Sequence, residues 1–398
     1  MKHVLSLSTL YPNAVNPRFG TFVARSLEAL AKRGAEKGDW RVTVVNPIGL
    51  SPIVFGRYRA LSELAPVDSE NGIEVHRPRF TLIPKIGARR NAMSIAKSVI
   101  PMAKAIHSKT PIDVIDAEFF FPDGPAAALV ARELGVPFSI KARGSDISYW
   151  SDFDFAREQI MLAASEADGL LAVSQALARE MAGMGMDADK ITVHYTGLDR
   201  DRFRPLGHTQ LRAQLSRELD FAIPDRAPLL TCVGALIDRK GQDIVIRALP
   251  ALPEARLLLV GKGDFERQLR DLAKELGVSD RVHFAGSVDH DLMPLILSAA
   301  DAMVLPTVSE GLANAWVESL ACGTPVITTD VGGARELITN DTAGRLVERT
   351  PDAVIAAIQA ILNDPPLPQD VAALADRFSW DNNAAELAAH FERLTAGG

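Results

Sequence analysis

Cysteine is scarce in this chain. Only Cys232 and Cys322 occur in 398 residues, each inside an apolar run. Two thiols do not make a disulfide framework, so a reducing, cytosolic compartment is expected. Long apolar runs are missing too, and none approaches the ~20 residues of a membrane span. The N-terminal MKHVLSLSTLYPN has a short apolar stretch and no small-residue cleavage site. It reads as a first strand, not as a signal peptide. Positive charge is the minority: 43 Lys and Arg against 50 Asp and Glu, a net −7, argue against general nucleic-acid binding. Repeats of ~20–50 residues and low-complexity tracts are absent. The remaining composition, 47% hydrophobic and 23% charged, is ordinary for a soluble globular protein. The length exceeds one ordinary core and predicts two domains.

Short apolar strands alternate with amphipathic helical patterns. In the first half the strands read HVLSLST, RVTVVNP, DVIDAE, PFSIKA and GLLAVS. After residues 194–207 the pattern restarts with LLTCVG, RLLLVG, RVHFAG, DAMVLP, PVITTD and GRLVE. Strands separated by helices imply parallel βαβ units. Two Rossmann-like α/β domains follow, 1–205 and 206–379, with ligands expected outside the carboxyl ends of the strands, in a cleft between the halves.

Four strand-to-helix turns of the second half carry chemistry: GALIDRKG (234–241), GKGD (261–264), SEGLAN (309–314) and VGGARE (331–336). Glycine there lets backbone approach a ligand, and a helix start offers unpaired N–H groups to an anion. GKGDFE lacks the third glycine of a dinucleotide fingerprint. GALIDRKG has Arg239 and Gly241 where a P-loop needs Gly and Ser or Thr. Phosphate binding by another geometry remains, with Arg239 and Lys240 as cations. Glu310 and Glu318 add carboxylates, which suit sugar and ribose hydroxyls. The plainer reading of each feature is structural: Ser309 as a helix cap, Glu310 on the helix dipole, Glu318 on the surface. The combination at one set of strand ends favours a ligand.

These residues resemble the family 4 retaining glycosyltransferases of GT-B architecture, over nearly the whole chain. The resemblance rests on E-x7-E, Glu310 to Glu318, followed by ACGTPVI and VGGARELI. It rests also on VGALIDRKG, VGKGDFERQL, VHFAGSV, GLDRDRF, GTFVARSLEALAKRG and RGSDI, and on FSWDNNAAELAAHFERL as the helix crossing back to the first domain, which residues 380–398 would complete. It implies two Rossmann-like domains facing across a cleft and a nucleotide-sugar donor, such as a UDP- or GDP-sugar. Glu318 would hold the ribose, Glu310 the transferred sugar and Lys240 the diphosphate, with Arg239 beside it. Gly234 begins that first turn. The amides of Gly311, Leu312, Ala313 and Asn314 would face the diphosphate or sugar. Val288 would lie by the base, and Gly20 in a loop closing on the diphosphate from the other domain.

Where the family often has an arginine after the first-turn glycine, this chain has Ala235. Where it commonly has His in H-G-x-D, this chain has Arg143, followed by Asp146. Where it often has His-x-His, this chain reads Asp116-Ala117-Glu118. These last departures fall on the acceptor side. The implied chemistry is sugar transfer to a hydroxyl of a glycan or lipid-linked acceptor, in cell-surface polysaccharide or glycolipid synthesis, with no cofactor. Preorganised cations and amides stabilise the leaving diphosphate, an effect worth ~3–4 kcal/mol per well-placed donor. In the retaining front-face scheme that the resemblance implies, the leaving phosphate oxygen would take the acceptor proton. Asp152-Phe153-Asp154 is read as a helix cap, and no metal is expected. The alternatives are an epimerase or phosphorylase of the same architecture, or a non-enzymatic sugar-binding protein.

Between Arg77 and Lys109 stand eight Lys and Arg and no acidic residue, interleaved with Phe80, Leu82, Ile83, Ile86, Met93, Ile95, Val99, Ile100 and Met102. Either this is a helix packed on the sheet, or it docks the first domain on the inner face of an anionic membrane, or grips an anionic lipid-linked acceptor. Pro101 predicts two short helical segments rather than one.

Overall fold

The structure, a computed structural model, describes residues 1–17, 19–53, 55–83, 87–207 and 210–396. It contains two compact units: Met1–Gly197 with Trp380–Gly398, and Leu198–Ser379.

The first unit is built on an eight-stranded sheet. Its order is Ile191–Val193, Gly169–Ala172, Phe138–Ala142, Val114–Ala117, Lys2–Leu7, Trp40–Val45, Ile73–His76, Val67–Glu70. The last strand alone runs antiparallel. The central strands are apolar on both faces because helices cover both, as parallel sheets require. Helix Thr21–Lys37 buries Val23, Leu27 and Leu30, and helix Trp380–Thr395 packs against it with Leu387 and Phe391. On the other face helix Asn91–Lys109 buries Ala92, Ile95, Ala96, Val99 and Ala103 and packs on helix Asp123–Leu134.

Two expectations are corrected here. Helix Asn91–Lys109 runs unbroken through Pro101. Pro101 is exposed, so the carbonyl it deprives of a donor can turn to water while buried Val99 and Ala103 hold the turns beside it. Asp152 and Asp154 do not cap: helix Asp154–Glu166 has Phe153 at its N-cap and no side-chain capping bond.

The second unit holds a six-stranded parallel sheet, in the order Val282–Gly286, Arg256–Val260, Leu229–Val233, Ala302–Leu305, Val326–Thr329, Gly344–Val347. Counted within the unit this is 3-2-1-4-5-6, the doubly wound order, with its direction reversing between Leu229–Val233 and Ala302–Leu305. All eleven strands read from the sequence are present. Five more were not read: Ile48–Leu50, Val67–Glu70, Ile73–His76, Arg79–Thr81 and Ile191–Val193.

Candidate functional site

Chain reversal in a doubly wound sheet leaves a crevice where neighbouring strands send their loops to opposite sides. In the second unit the loops flanking that point are 234–241 and 306–314. The first ends in a short 3-10 turn, Asp238–Lys240, closed by Gly241. It brings Lys240 Nζ into an ion pair with Glu310 Oε1, with both side chains about one-eighth exposed. Arg239 is further off, 3.8 Å from the same oxygen, and donates to the Ser309 carbonyl at 2.6 Å. Val308 N–H returns a bond to the Arg239 carbonyl at 2.8 Å. Gly234 sits under the lysine stem, 3.8 Å from Lys240 Cε to where a Cβ would stand.

The helix does not begin at Ser309. It spans Asn314–Ala321, with Ala313 at its N-cap and no side-chain cap. Glu310 therefore belongs to the preceding loop, and Glu318 lies one turn inside the helix. The amides of Gly311, Leu312, Ala313 and Asn314 take no backbone partner among the described bonds. The turn after Val326–Thr329 locks this loop: Gly333 N–H donates to the Gly311 carbonyl at 2.6 Å. Gly332 has φ +51°, and a Cβ there would overlap the Glu310 carbonyl oxygen. Glu318 is 14% exposed, and its Oε1 lies 3.2 Å from His290 Nε2. Val288, half-buried, precedes that histidine in the segment after Val282–Gly286. Thus Lys240, Arg239, Glu310, Gly311 to Asn314, Glu318, Val288 and Gly234 share one edge of one sheet. Sequence reasoning missed His290.

Gly20, Arg143 and Asp146 lie in the first unit. Gly20 has φ +69°, caps helix Thr21–Lys37, and approaches the Leu10 carbonyl too closely for any side chain. Arg143 is not a free cation. It is ion-paired to Glu118, donates through Nε to the Glu118 carbonyl at 3.0 Å, and lies 4.7 Å over the Phe22 ring. The two acceptor-side departures in the sequence are therefore one structural unit. Asp146 is fully buried and accepts the amides of Phe120 and Arg143 at 2.9 Å and Gly144 at 2.8 Å. Its carboxylate shapes the Arg143 turn.

Around that pair lies a buried ionisable cluster that no single motif announced. Burial pushes the Asp116 carboxyl well up, and Glu118 adds to the shift. Burial also raises Glu118, but Arg143 and Lys141 outweigh it and leave the carboxyl below its ordinary range. Lys141 is lowered to about 8 by burial, against the pull of Glu118. Burial raises Asp123 to about 7, and lowers His390 to about 3 with help from Arg393 and Lys141. The available signal was alternation: Asp116 and Glu118, Lys141 and Arg143 stand two apart at adjacent strand ends. Charges there need partners.

Of the basic stretch, Arg77 is 3% exposed and pairs with Glu70 and Asp68. Arg79 donates to the Arg77 carbonyl at 2.6 Å and to that of Leu64. Lys104 pairs with Glu133. Phe80, Ile100 and Met102 pack on the core. Lys85 and Ile86 lie outside the described residues. Arg89, Arg90, Lys97 and Lys109 form no ion pair among the described residues, and Ile83 and Met93 are exposed.

Two doubly wound units, with loops converging on a switch point in the second, are the GT-B architecture. Residues 218–377 match the family model "Glycosyl transferases group 1", and residues 21–202 match "Glycosyltransferase Family 4". A GDP-mannose-dependent alpha-(1-6)-phosphatidylinositol monomannoside mannosyltransferase of Mycobacterium tuberculosis is 31% identical over 293 residues, 69% of this chain and 75% of that protein. A D-inositol 3-phosphate glycosyltransferase of Xylanimonas cellulosilytica is 28% identical over 391 residues, 92% of this chain and 89% of that protein. Among solved structures, sucrose-phosphate synthase from Thermosynechococcus elongatus superposes with a TM-score of 0.75 at 21% identity, over 100% of both chains. An Anabaena protein in complex with UDP gives 0.75 at 21%, over 99% of this chain and 100% of that one. The chain belongs to glycosyltransferase family 4. No described helix is long and apolar enough to cross a membrane.

Proposed function

We propose that this enzyme is a metal-independent, retaining hexosyltransferase that moves a sugar from a UDP- or GDP-sugar to a hydroxyl of a glycan or lipid-linked acceptor. The carrying observation is the meeting of Lys240, Arg239 and Glu310 across the switch point, with Glu318 one turn inside the helix that follows. In this reading the second unit binds the donor. Lys240, Arg239 and the amides of Gly311 to Asn314 take the diphosphate, Glu310 the hydroxyls of the sugar, Glu318 those of the ribose, and Val288 the base. The first unit takes the acceptor. There Arg143, ion-paired to Glu118 and held by the turn around Asp146, stands where a histidine would otherwise be expected.

Transfer breaks the bond between the sugar's anomeric carbon and the phosphate oxygen, and forms one to the acceptor oxygen on the same face. The acceptor proton passes to the departing phosphate oxygen. The charge growing on the diphosphate meets cations already oriented, so little reorganisation is needed. The mannosyltransferase relative is named for a phosphatidylinositol glycolipid acceptor. A lipid-linked acceptor suits Arg89, Arg90, Lys97 and Lys109, which form no ion pair among the described residues and would bring the first unit against the anionic cytoplasmic face of the membrane.

The test incubates the purified protein with UDP-, GDP- and ADP-sugars and a membrane-lipid extract, with and without EDTA. Nucleoside diphosphate release and the anomeric coupling of the product are read by NMR. The expected result is acceptor-dependent release, unaffected by EDTA, with the donor's anomeric configuration kept. Donor conversion without acceptor, an inverted product, or activity lost to EDTA and restored by Mg²⁺ would each overturn the reading.

A further inference from the structure

His290 is 58% exposed at its side chain, and the turn it opens is braced by its neighbours. Asp289 caps the 3-10 turn His290–Leu292 by accepting the Asp291 amide at 2.9 Å. Arg202 pairs with Asp291 at 2.5 Å while lying 5.7 Å from the Phe203 ring. The imidazole leans on that same ring, which is 1% exposed, with centroids 5.2 Å apart. Held this way, Nε2 lies 3.2 Å from Glu318 Oε1. An ionised carboxylate can only accept, so the imidazole N–H donates. Glu318 Oε2 has no partner among the described residues. One oxygen is anchored and the other is left over.

We infer that His290 is a positioning residue for the nucleoside end of the donor, orienting Glu318 so that its second oxygen meets the ribose hydroxyls. This rests on Glu318 being the ribose carboxylate. The 199–203 segment thereby acts on donor affinity at second hand, through Phe203. A flexible glutamate would lose rotamer freedom each time a ribose bound. Anchoring Oε1 removes most of that loss beforehand.

The test measures binding of UDP and GDP, and of the 2′,3′-dideoxy form of whichever binds, to wild type, His290→Ala, His290→Gln and Glu318→Gln by calorimetry. His290→Ala should weaken the ribonucleotide roughly fivefold to tenfold. It should leave the dideoxy nucleotide unchanged, because no hydroxyl then uses the oriented oxygen. His290→Gln, whose amide also donates, should recover most of the affinity. In turnover, His290→Ala should raise the donor KM by the same factor with kcat within about twofold. Its unliganded melting temperature should match wild type. Equal weakening of both nucleotides by His290→Ala would mean direct contact or general disruption and would overturn the inference. So would no effect of His290→Ala where Glu318→Gln does discriminate the two nucleotides. If Glu318→Gln itself discriminates nothing, the ribose role of Glu318 fails first and this inference falls with it.

Discussion

Lys240 and Glu310 stand 70 positions apart in the chain and share an ion pair in the fold. Lys240→Ala should lower kcat/KM roughly 100-fold or more through lost charge stabilisation, with little change in melting temperature. Glu310→Gln should act mainly on kcat, because its proposed partner is the reacting sugar. Since the two side chains hold each other, their effects should not add. The double variant should lose far less than the product of the single losses, and near-additive kinetics would break the pairing argument. A second residue-scale consequence concerns His390, whose Nε2 lies 2.8 Å from Ser139 Oγ. Its folded pKa is about 3 against an ordinary 6.5. Between these values the unfolded chain binds a proton that the folded chain does not, so stability falls as pH is lowered through this window. The slope for one such group is ~1.4 kcal/mol per pH unit. Asp123, raised from 3.8 to about 7, has the opposite sign, its contribution being lost as pH rises through that interval. His390→Gln removes only the first effect. Urea melts should show the variant losing less stability than wild type between pH 6.5 and 4.5, and parallel curves would refute the assignment.

At the scale of elements, the loop before helix Asn314–Ala321 is held from below by the turn after strand Val326–Thr329. Gly332 is the tightest point of that contact, with a positive φ and no room for a Cβ against the Glu310 backbone. Gly332→Ala should destabilise the protein by ~1–3 kcal/mol. It should also lower transfer at least tenfold by displacing Glu310, although position 332 carries no proposed ligand contact. Wild-type melting and wild-type turnover together would show that the loop tolerates the shift. Local sequence missed the short strands for a related reason. Val67–Glu70 is exposed and polar, VDSE, and Ile191–Val193 is three residues long. Their stability comes from the neighbouring strand and not from their own pattern.

For the whole molecule, the cations of residues 77–109 bear on what surface the first unit meets. Helix Asn91–Lys109 spends its apolar stripe on the core, so among the described residues of this stretch a membrane contact would use Arg89, Arg90, Lys97, Lys109 and exposed Ile83 and Met93. That makes the expected binding electrostatic, worth ~1 kcal/mol per cation near an anionic surface. The protein should sediment with phosphatidylglycerol vesicles at low salt. It should release in 0.5 M salt, taken as roughly that strength because screening then acts within about 4 Å. Charge reversal at Arg89, Arg90 and Lys97 should weaken sedimentation. Equal recovery in the supernatant with anionic and neutral vesicles would leave packing as the stretch's entire role.

What the sequence determined by itself is local and periodic. Apolar runs ending in glycine and followed by amphipathic helices specify parallel α/β units, and the loops after parallel strands necessarily reach one edge. That geometry is why Lys240, Glu310 and Glu318 could be grouped at one set of strand ends, while their separate roles came from the family resemblance. Tertiary structure decided which partner each charge finds. Lys240, and not Arg239, closes on Glu310; Arg143 is taken by Glu118; Asp146 is taken by backbone amides; and His290 comes under Glu318. The Lys240–Glu310, Arg143–Glu118 and His290–Glu318 pairings depend on strand order, register and loop path, which bring together residues 25 to 70 positions apart. No window of sequence contains both members of such a pair, so the fold alone could assign them.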